Sequence, residues 1–348
     1  MLPVVGVVGC GEIAPVHAQA LAKRGDVRLA FCDRNLSKAQ ALGAKWDSTS
    51  VYSDLDDMLS MEQLHAAYVL TRVDSHPMVA GRLLDAGVHT YVEKPITETP
   101  QDYAALRARA EAAGVVLYPG FSALALPAVR RAVDIVHSGR YGGLVTAHCD
   151  FHWSTSEKIP YGSGQHWAYA LRGGILQNLA DHPTSIVVHL LDDVQQASSF
   201  RRRRAELPNN VDDLLTIAIA GDKQLASLTM SFGQGSTRGS LTCTLEDATI
   251  VADLRTHVTT VVRHPRPPDL RRRTQASLAV AAATGTGTVV SALRRLSGRL
   301  PERAEMAAIT DNFLGVIDGR VEPLVDLDRT AQVIAVLDSV WTASELML

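Results

Sequence analysis

A glutamate, a lysine and a proline stand together at the end of an apolar run, Tyr91-Val92-Glu93-Lys94-Pro95. A lysine can donate a hydrogen bond to a substrate hydroxyl and exchange a proton with it, and a neighbouring carboxylate can hold the ammonium in place. The proline indicates a fixed turn directly after a strand, and its isomer does not follow from sequence. The pattern predicts Lys94 as a catalytic residue, with a structural ion pair of Glu93 and Lys94 as the alternative.

A second group with acid/base potential follows the double glycine Gly173-Gly174. Asn178 and His182 are four residues apart, which places them on one face of a helix. Pro183 would clash with the carbonyl of Leu179 and kink that helix. The spacing makes His182, with Asn178 beside it, a candidate catalytic residue, and a purely structural histidine is the alternative.

Aromatic and histidine side chains lie just upstream of this segment. Tyr161, His166 and Trp167 are residue types that suit the wall of a sugar-binding site, although core packing explains any one of them equally well. We therefore predict substrate contacts from these three residues together with Lys94, Asn178 and His182.

The first strand-like run, Pro3 to Val8, leads into a glycine-rich turn and then a helical pattern. The turn has the G-x-G-x-x-A form of the dinucleotide-binding motif, in which the first glycine makes the tight turn, the second lets the pyrophosphate approach, and the small third residue lets helix and strand pack closely. The helix N-terminus offers free N–H groups to the phosphates. Cofactor contacts are predicted for Gly9, Gly11, Glu12, Ile13 and Ala14.

A second strand ends at Asp33, 22 residues after Gly11. A carboxylate in this place accepts hydrogen bonds from the adenosine ribose and repels a 2'-phosphate, so NAD is the favoured cofactor. Arg34 could accommodate that phosphate, so NADP stays possible. No spacing of cysteines or histidines indicates a metal site.

Strands and helices alternate through residue 117, which predicts a doubly wound parallel sheet of the Rossmann type. Ligands of such sheets bind at the carboxyl ends of the strands, where Thr71 and Glu93-Lys94-Pro95 fall. Later β runs joined by short polar turns predict an open, mainly antiparallel sheet. The expected fold is α/β with two domains, 1–121 for the dinucleotide and 122–348, an α+β domain, for substrate binding and oligomerisation. Within the second domain we expect an exposed loop at 265–273, a packing or subunit-contact helix at 276–293 and a closing helix at 328–346.

The composition is that of a soluble enzyme, with 46% hydrophobic residues, 20% charged residues and a formal net charge of −3. A nucleic-acid binder would carry a basic excess, so the arginine runs 201–204 and 271–273 are interpreted as solvated strand ends or loops. Four widely spaced cysteines indicate neither disulfides nor zinc and fit a reducing cytoplasm. No signal peptide or good membrane-spanning segment is evident, so no membrane partner is expected.

Taken together, these residues resemble the glucose-fructose oxidoreductase, inositol dehydrogenase and rhizopine-catabolism family, Gfo/Idh/MocA, over nearly the whole chain. The specific part is the triplet Glu93-Lys94-Pro95, and the glycine motif, Asp33, the segment from Thr71 to His76, and the Gly173 to His182 segment agree with it. The resemblance implies an NAD(P)-dependent oxidoreductase acting on a secondary hydroxyl or keto group of a sugar, sugar nucleotide or cyclitol. It also implies a homodimer or homotetramer paired through the C-terminal sheet, with cofactor contacts from Thr71, His76, Glu93 and Lys94.

Two positions depart from the family pattern. Many members have aspartate where this chain has Asn178, and a carboxamide cannot relay a proton. Arg72 stands where a proline is common, and it could face an acidic substrate group or the cofactor. Two further functions therefore stay open: redox-neutral elimination or epimerisation with tightly bound NAD, and a non-catalytic NAD- and sugar-binding sensor.

Overall fold

Short runs of β-branched and small apolar residues build a parallel sheet in the N-terminal part of the chain. The computed structural model describes residues 2–154, 166–204, 206–233, 236–264, 270–298 and 303–342. Its first elements are β1 (Val4–Val8), α1 (Ala14–Ala22), β2 (Arg28–Cys32), α2 (Leu36–Gly43), β3 (Val51–Tyr52), α3 (Leu55–Met61), β4 (Leu64–Val69), α4 (His76–Asp85), β5 (His89–Glu93), α5 (Pro100–Ala113) and β6 (Leu117–Gly120). The strand order β3-β2-β1-β4-β5-β6, parallel throughout, is that of a Rossmann fold, which confirms the predicted doubly wound sheet.

Alternating apolar and polar residues build the second sheet. The elements in order are α6 (Pro127–His137), β7 (Leu144–Trp153), α7 (Gly174–Leu179), α8 (Asp181–Leu190), β8 (Gln196–Arg202), β9 (Leu214–Ala220), β10 (Leu225–Phe232), β11 (Arg238–Leu245), β12 (Ala248–Asp253), β13 (Val258–Arg263) and α9 (Leu270–Leu296). The strand order is β13-β12-β11-β7-β10-β9-β8, and only the β7–β10 pair is parallel. The predicted mainly antiparallel sheet is thereby confirmed.

Two last helices, α10 (Ala304–Ile317) and α11 (Leu327–Thr342), complete the described chain. The chain forms two compact units, one of residues 1–122 with 305–335 and the other of residues 123–304 with 336–348. The first unit thus takes a helical segment from the far end of the sequence. The division into domains 1–121 and 122–348 stays a prediction.

The predicted loop at 265–273 is wrong in its second half. Residues 265–269 lie outside the described residues, and α9 begins at Leu270, because an arginine-rich run has good helix propensity.

The predicted packing helix at 276–293 lies within α9, where the Thr260 and Thr284 hydroxyls are 3.3 Å apart and join α9 to β13. Residues 343–346 of the predicted closing helix are outside the described part. Within the described ranges, no helix is long and apolar enough to cross a membrane.

A row of tyrosines crosses the Rossmann sheet and is covered by α10. Tyr68, Tyr91 and Tyr118 are register partners on β4, β5 and β6, with neighbouring ring centroids 4.6 and 5.9 Å apart. Phe313 of α10 lies within 5.8 Å of all three rings. All four side chains are fully buried. The strand that carries Lys94 is therefore backed by a helix from the other end of the chain.

We expect Phe313→Ala to lower the free energy of unfolding by about 3–5 kcal/mol, the usual cost of removing a buried phenyl ring. Met61→Ala is the control, because Met61 is exposed on the same unit and surface changes usually stay within about 0.5 kcal/mol. Equal denaturation midpoints for the two variants would show that α10 does not stabilise this sheet.

Candidate active site

The glycine-rich turn after β1 contains two glycines, and each is needed for a different reason. Gly9 has φ of +96°, and its N–H donates to the Cys32 carbonyl at 2.8 Å. A Cβ on Gly9 would lie 2.7 Å from the backbone of Leu70, so the protein's own packing requires glycine there. A Cβ on Gly11 would meet no heavy atom of the described residues within 4 Å. Gly11 thus opens onto free space, as the approach of a dinucleotide phosphate requires.

Asp33 fixes this turn from the end of β2. One carboxylate oxygen accepts the backbone N–H of Cys10 at 2.8 Å, and the other accepts that of Asn35 at 2.8 Å. A carboxylate oxygen can accept more than one hydrogen bond, so Asp33 keeps acceptor capacity for ribose hydroxyls. Arg34 is exposed beside it. The turn and the predicted ribose acceptor are therefore one hydrogen-bonded unit, into which an NAD adenosine fits.

Two thiols at this turn, those of Cys10 and Cys32, are unreactive. Burial, with the nearby Asp33 charge adding to it, raises the pKa of Cys10 to about 12. Burial likewise raises the pKa of Cys32 to about 11. Because only the thiolate is a strong nucleophile, neither cysteine is a candidate for covalent chemistry.

A buried histidine that was not predicted from the sequence holds the end of β5. His17 of α1 has its Nε2 3.1 Å from a carboxylate oxygen of Glu93, and since a carboxylate only accepts, the histidine donates. The His17 ring is fully buried and packs 5.5 and 5.3 Å from the Tyr68 and Tyr91 rings. Its signal in the sequence was an isolated histidine on the apolar face of α1. Lys94, which follows Glu93 directly, is half-buried.

His76 ties the loop after β4 to the loop after β5. Its Nε2 lies 3.0 Å from the Thr71 carbonyl, and its Nδ1 lies 2.9 and 3.2 Å from the carbonyls of Pro95 and Ile96. The Lys94–Pro95 peptide is cis. Because the imidazole is buried among backbone carbonyls, it braces the Thr71 and Lys94 segments against each other. Its predicted contact with the cofactor stays a prediction.

Arg72 is exposed at the same sheet edge. Its guanidinium lies 3.6 Å from the carboxylate of Asp74, and both side chains are more than half exposed. This neighbouring negative charge reduces the net positive field that Arg72 offers to an acidic ligand.

In the second unit, the predicted helix is two helices that meet at Ala180. The helix α7 ends at Leu179 and α8 begins at Asp181, at the turn that Pro183 was expected to distort. Asn178 is 3% exposed, whereas His182 is partly exposed. The predicted interruption is thus confirmed.

Aromatic side chains from β7 support the imidazole of His182. Its ring stacks at 14° on Phe151 with centroids 6.4 Å apart, and it lies 6.3 Å from the Trp153 ring. These contacts help to set the plane of the imidazole. Phe151 and Trp153 were not among the predicted site residues, although their alternation on one strand is the signal that could have found them.

The double glycine has a packing role. A Cβ on Gly173 would lie 2.3 Å from the ring of Trp341, and one on Gly174, whose φ is +57°, would lie 2.5 Å from Val211. The chain therefore needs both glycines to pack Trp341 and Val211 against the start of α7.

The aromatic segment upstream is only partly described. His166 accepts the backbone N–H of Ala168 through Nδ1 at 3.2 Å and so caps a short 3-10 helix, Trp167–Ala170. The rings of His166 and Trp167 lie 5.3 Å apart. Tyr161 lies outside the described residues. A substrate role for these three side chains stays a prediction.

A carboxylate that the sequence analysis did not consider precedes His182. Asp181 is 2% exposed at the first turn of α8, and a negative charge at a helix N-terminus is stabilised by the helix dipole. The segment thus has a buried carboxylate three positions after Asn178, which stands where the resemblance implies an aspartate.

In the first unit, the structure gathers the predicted cofactor residues at the carboxyl edge of the parallel sheet. They follow β1, β2, β4 and β5, and they are Gly9, Gly11, Glu12, Ile13, Ala14, Asp33, Arg34, Thr71, His76, Glu93 and Lys94. The second unit separately carries His166, Trp167, Asn178 and His182. Individual roles for these residues remain proposals.

Comparison with known proteins agrees with this arrangement. Residues 4–121 match the model of the GFO_IDH_MocA oxidoreductase family with its NAD-binding Rossmann fold, and residues 129–251 match the GFO/IDH/MocA C-terminal domain. The first match covers the N-terminal segment of the first unit, and the second covers part of the second unit.

Individual relatives are distant. An uncharacterised oxidoreductase of Synechocystis is 28% identical over 65% of this chain and 62% of its own length. D-Glucoside 3-dehydrogenase of Escherichia coli is 36% identical over 28% of each chain. The chain thus spans less than two thirds of the length of these relatives. The WlbA dehydrogenase of Bordetella pertussis, solved with NADH and UDP-GlcNAcA, has a TM-score of 0.75 at 20% identity and covers 98% of this chain and 94% of its own, which supports the fold.

Burial of His76 makes stability depend on pH. Burial lowers the pKa of His76 below its ordinary value of 6.5, against the opposing pull of the Thr71 carbonyl. As the pH falls below about 6.5, the unfolded chain takes up a proton that the folded chain does not, so the free energy of unfolding falls with a slope of at most about 1.4 kcal/mol per pH unit for this group. Denaturant midpoints of the wild type at about pH 7.5, 6 and 5, all at the same protein concentration, measure that slope.

His76→Gln keeps hydrogen-bonding capacity but does not titrate, so its stability should change less with pH than that of the wild type. Parallel pH curves for the two proteins would contradict the assignment.

Proposed function

The chain belongs to the Gfo/Idh/MocA oxidoreductase family, and from this premise we propose that it transfers a hydride between NAD and a secondary hydroxyl or keto group of a sugar, sugar nucleotide or cyclitol. The observation that carries the proposal is the position of Lys94. It follows β5 at the carboxyl edge of the sheet, directly after a glutamate that is held by buried His17. Ligands of open α/β sheets bind at that edge.

The first unit would hold the cofactor. Gly11 leaves room for the pyrophosphate, and Asp33 would accept hydrogen bonds from the adenosine ribose while its charge disfavours a 2'-phosphate. This favours NAD over NADP. Bound NAD supplies a nicotinamide carbon that accepts or returns the hydride.

Lys94 would move the proton. Its ammonium would donate a hydrogen bond to the reacting oxygen in the ketone state, and its amine would take the proton of the hydroxyl in the oxidative direction. Glu93, kept in place by His17, would orient it. His182 would serve as the second acid/base group, on a plane set by Phe151 and Trp153.

The substrate class rests on similarity and on the side chains of the second unit. The E. coli relative bears the name of an enzyme that oxidises a glucoside. Aromatic faces such as that of Trp167 suit the C–H faces of a sugar ring, and imidazole and carboxamide groups suit its hydroxyls.

We expect Lys94→Ala to reduce turnover by about 100- to 10,000-fold, the usual range for losing a general acid/base group. Its affinity for NAD should stay within about threefold of that of the wild type, because dinucleotide contacts come mainly from the glycine-rich turn and Asp33. The measurements are NADH absorbance against a panel of sugars and cyclitols, and NAD titration.

Lys23→Ala is the control for that variant, because Lys23 is exposed at the end of α1. Near-normal turnover by Lys94→Ala would remove Lys94 from the mechanism. Product that forms without net NADH would instead identify redox-neutral chemistry.

We also propose that two copies pair through the open face of the C-terminal sheet. Large apolar side chains on that face are exposed, with Phe200 at 64%, Leu225 at 61% and Val251 at 41%. Exposed apolar residues grouped on one sheet face are typical of a protein contact. The neighbouring polar strands would form the rim.

Phe200→Glu should shift the protein from dimer or tetramer toward monomer in light scattering, because a charge would be buried without a partner. Met61→Glu is the control, since Met61 is equally exposed on the other unit. An unchanged mass for Phe200→Glu would exclude this face.

The four cysteines are all free and buried. Thiols that persist without pairing are usual in reducing compartments. We therefore propose a cytoplasmic location.

A further inference from the structure

The run of arginines at the end of β8 lines a cavity of about 590 Å³ in the second unit. Four arginines and one aspartate line it, a formal charge of three positive units in a chain whose net charge is −3. The charged lining residues are Arg172, Arg201, Arg202, Arg203 and Asp212. The interpretation of this run as a solvated strand end is correct for the backbone but overlooks the cavity.

Among the described residues of this lining, Arg201 has its Nε 3.9 Å from a carboxylate oxygen of Asp212. Arg202 and Arg203 each donate to a backbone carbonyl, of Arg201 at 2.8 Å and of Asn210 at 3.1 Å. A guanidinium carries five N–H donors, so these contacts leave most of them available. Seven arginines of the first unit, by comparison, each lie within 4 Å of a carboxylate: Arg24, Arg28, Arg72, Arg82, Arg107, Arg109 and Arg320.

The cavity is held open by specific contacts. The amide of Asn209 donates to the Tyr169 carbonyl at 3.0 Å and so joins the two loops that form its walls. Asn209 and Asn210 both have positive φ, at 58° and 52°, a conformation that costs energy and that proteins retain where the surroundings require it. Arg201 lies over the ring of Trp341 at 5.9 Å. Clustered like charges on a braced scaffold repel one another, and an anionic ligand would relieve that repulsion.

The position of the cavity relates it to His182. Phe151, on which His182 stacks, is aligned across the sheet with Met230, Leu215 and Arg201 in direct register, so Arg201 emerges on the same sheet face. Three strand spacings separate Phe151 from Arg201, which is about 14 Å. That separation exceeds the width of one sugar ring.

We propose that this cavity, called here the arginine pocket, binds the phosphate groups of a phosphorylated sugar whose ring lies toward His182. The proposal rests on the proposed function for the site at His182. Arginine binds phosphate through paired N–H donors, which makes it the side chain best suited to this ligand.

The test measures anion binding with the dinucleotide site already filled. Isothermal titration of inorganic phosphate, inorganic pyrophosphate and UDP is carried out on the full chain in saturating NAD, because the glycine-rich turn also binds a pyrophosphate. We expect pyrophosphate and UDP to bind the wild type. Arg202→Gln and Arg203→Gln should each weaken binding about tenfold, the loss of one charge-assisted hydrogen bond. Binding should also weaken with added salt.

Arg131→Gln is the matched control, because Arg131 is an exposed arginine of α6 in the same unit and does not line the pocket. Arg202 and Arg203 are exposed, so their replacement leaves no buried charge behind and is compatible with folding. UDP binding tighter than phosphate binding supports a nucleotide-linked sugar, and equal binding supports a sugar monophosphate.

No binding by the wild type in saturating NAD, or equal binding by the wild type and by an Arg202→Gln/Arg203→Gln double variant, would each overturn the proposal. This result is independent of the Lys94 test, because it needs no turnover. Normal activity of Lys94→Ala together with arginine-dependent UDP binding would reject the proposed catalyst and leave the arginine pocket in place.

Discussion

The buried contact between His17 and Glu93 links the two parts of the first unit on which the proposed chemistry depends. His17 lies on the helix that follows the glycine-rich turn, and Glu93 ends the strand that presents Lys94. A polar pair in a closely packed interior is stable only while both partners stay, since losing one leaves a buried group without its hydrogen bond. The His17 ring packs on the tyrosine row, which Phe313 covers. The same contact thus joins the helix that follows the glycine-rich turn to the strand end that precedes Lys94, the proposed catalytic residue.

Much of this could be predicted from local patterns. The alternation of buried strands and amphipathic helices fixes a doubly wound sheet, because right-handed crossovers leave few other topologies. The turn at Gly9 follows from a steric requirement, since its φ and its approach to Leu70 both exclude a side chain. Lys94 was found because a charged pair at the end of a buried strand falls on the edge where such sheets bind ligands. Each of these inferences uses residues within one or two elements.

The features that could not be predicted from the sequence depend on contacts between residues far apart in the chain. An amphipathic helix does not encode which sheet it will cover, so nothing in the α10 sequence placed Phe313 on Tyr91. His17 was one histidine on an apolar face until the fold brought Glu93 to it from 76 residues away. The arginine run could not be recognised as a cavity lining from sequence, because the cavity is formed by the loops around Tyr169 and Asn209. The double glycine was interpreted as part of the site motif, but the structure requires glycine there for the packing of Trp341 and Val211.

Asn178 stands where the resemblance implies an aspartate, and a carboxamide there gives His182 different electrostatics from a carboxylate. Asn178 is almost completely buried, and burying a carboxamide costs far less than burying a carboxylate. A carboxamide can orient an imidazole by hydrogen bonding, but it does not stabilise the imidazolium charge that forms when the ring takes a proton. The buried carboxylate of Asp181 is one residue from His182, and neighbouring residues on a helix point in directions about 100° apart, so it does not take the same place. The proposed mechanism therefore assigns more of the proton transfer to Lys94, the group whose strand end is braced by His17 and His76.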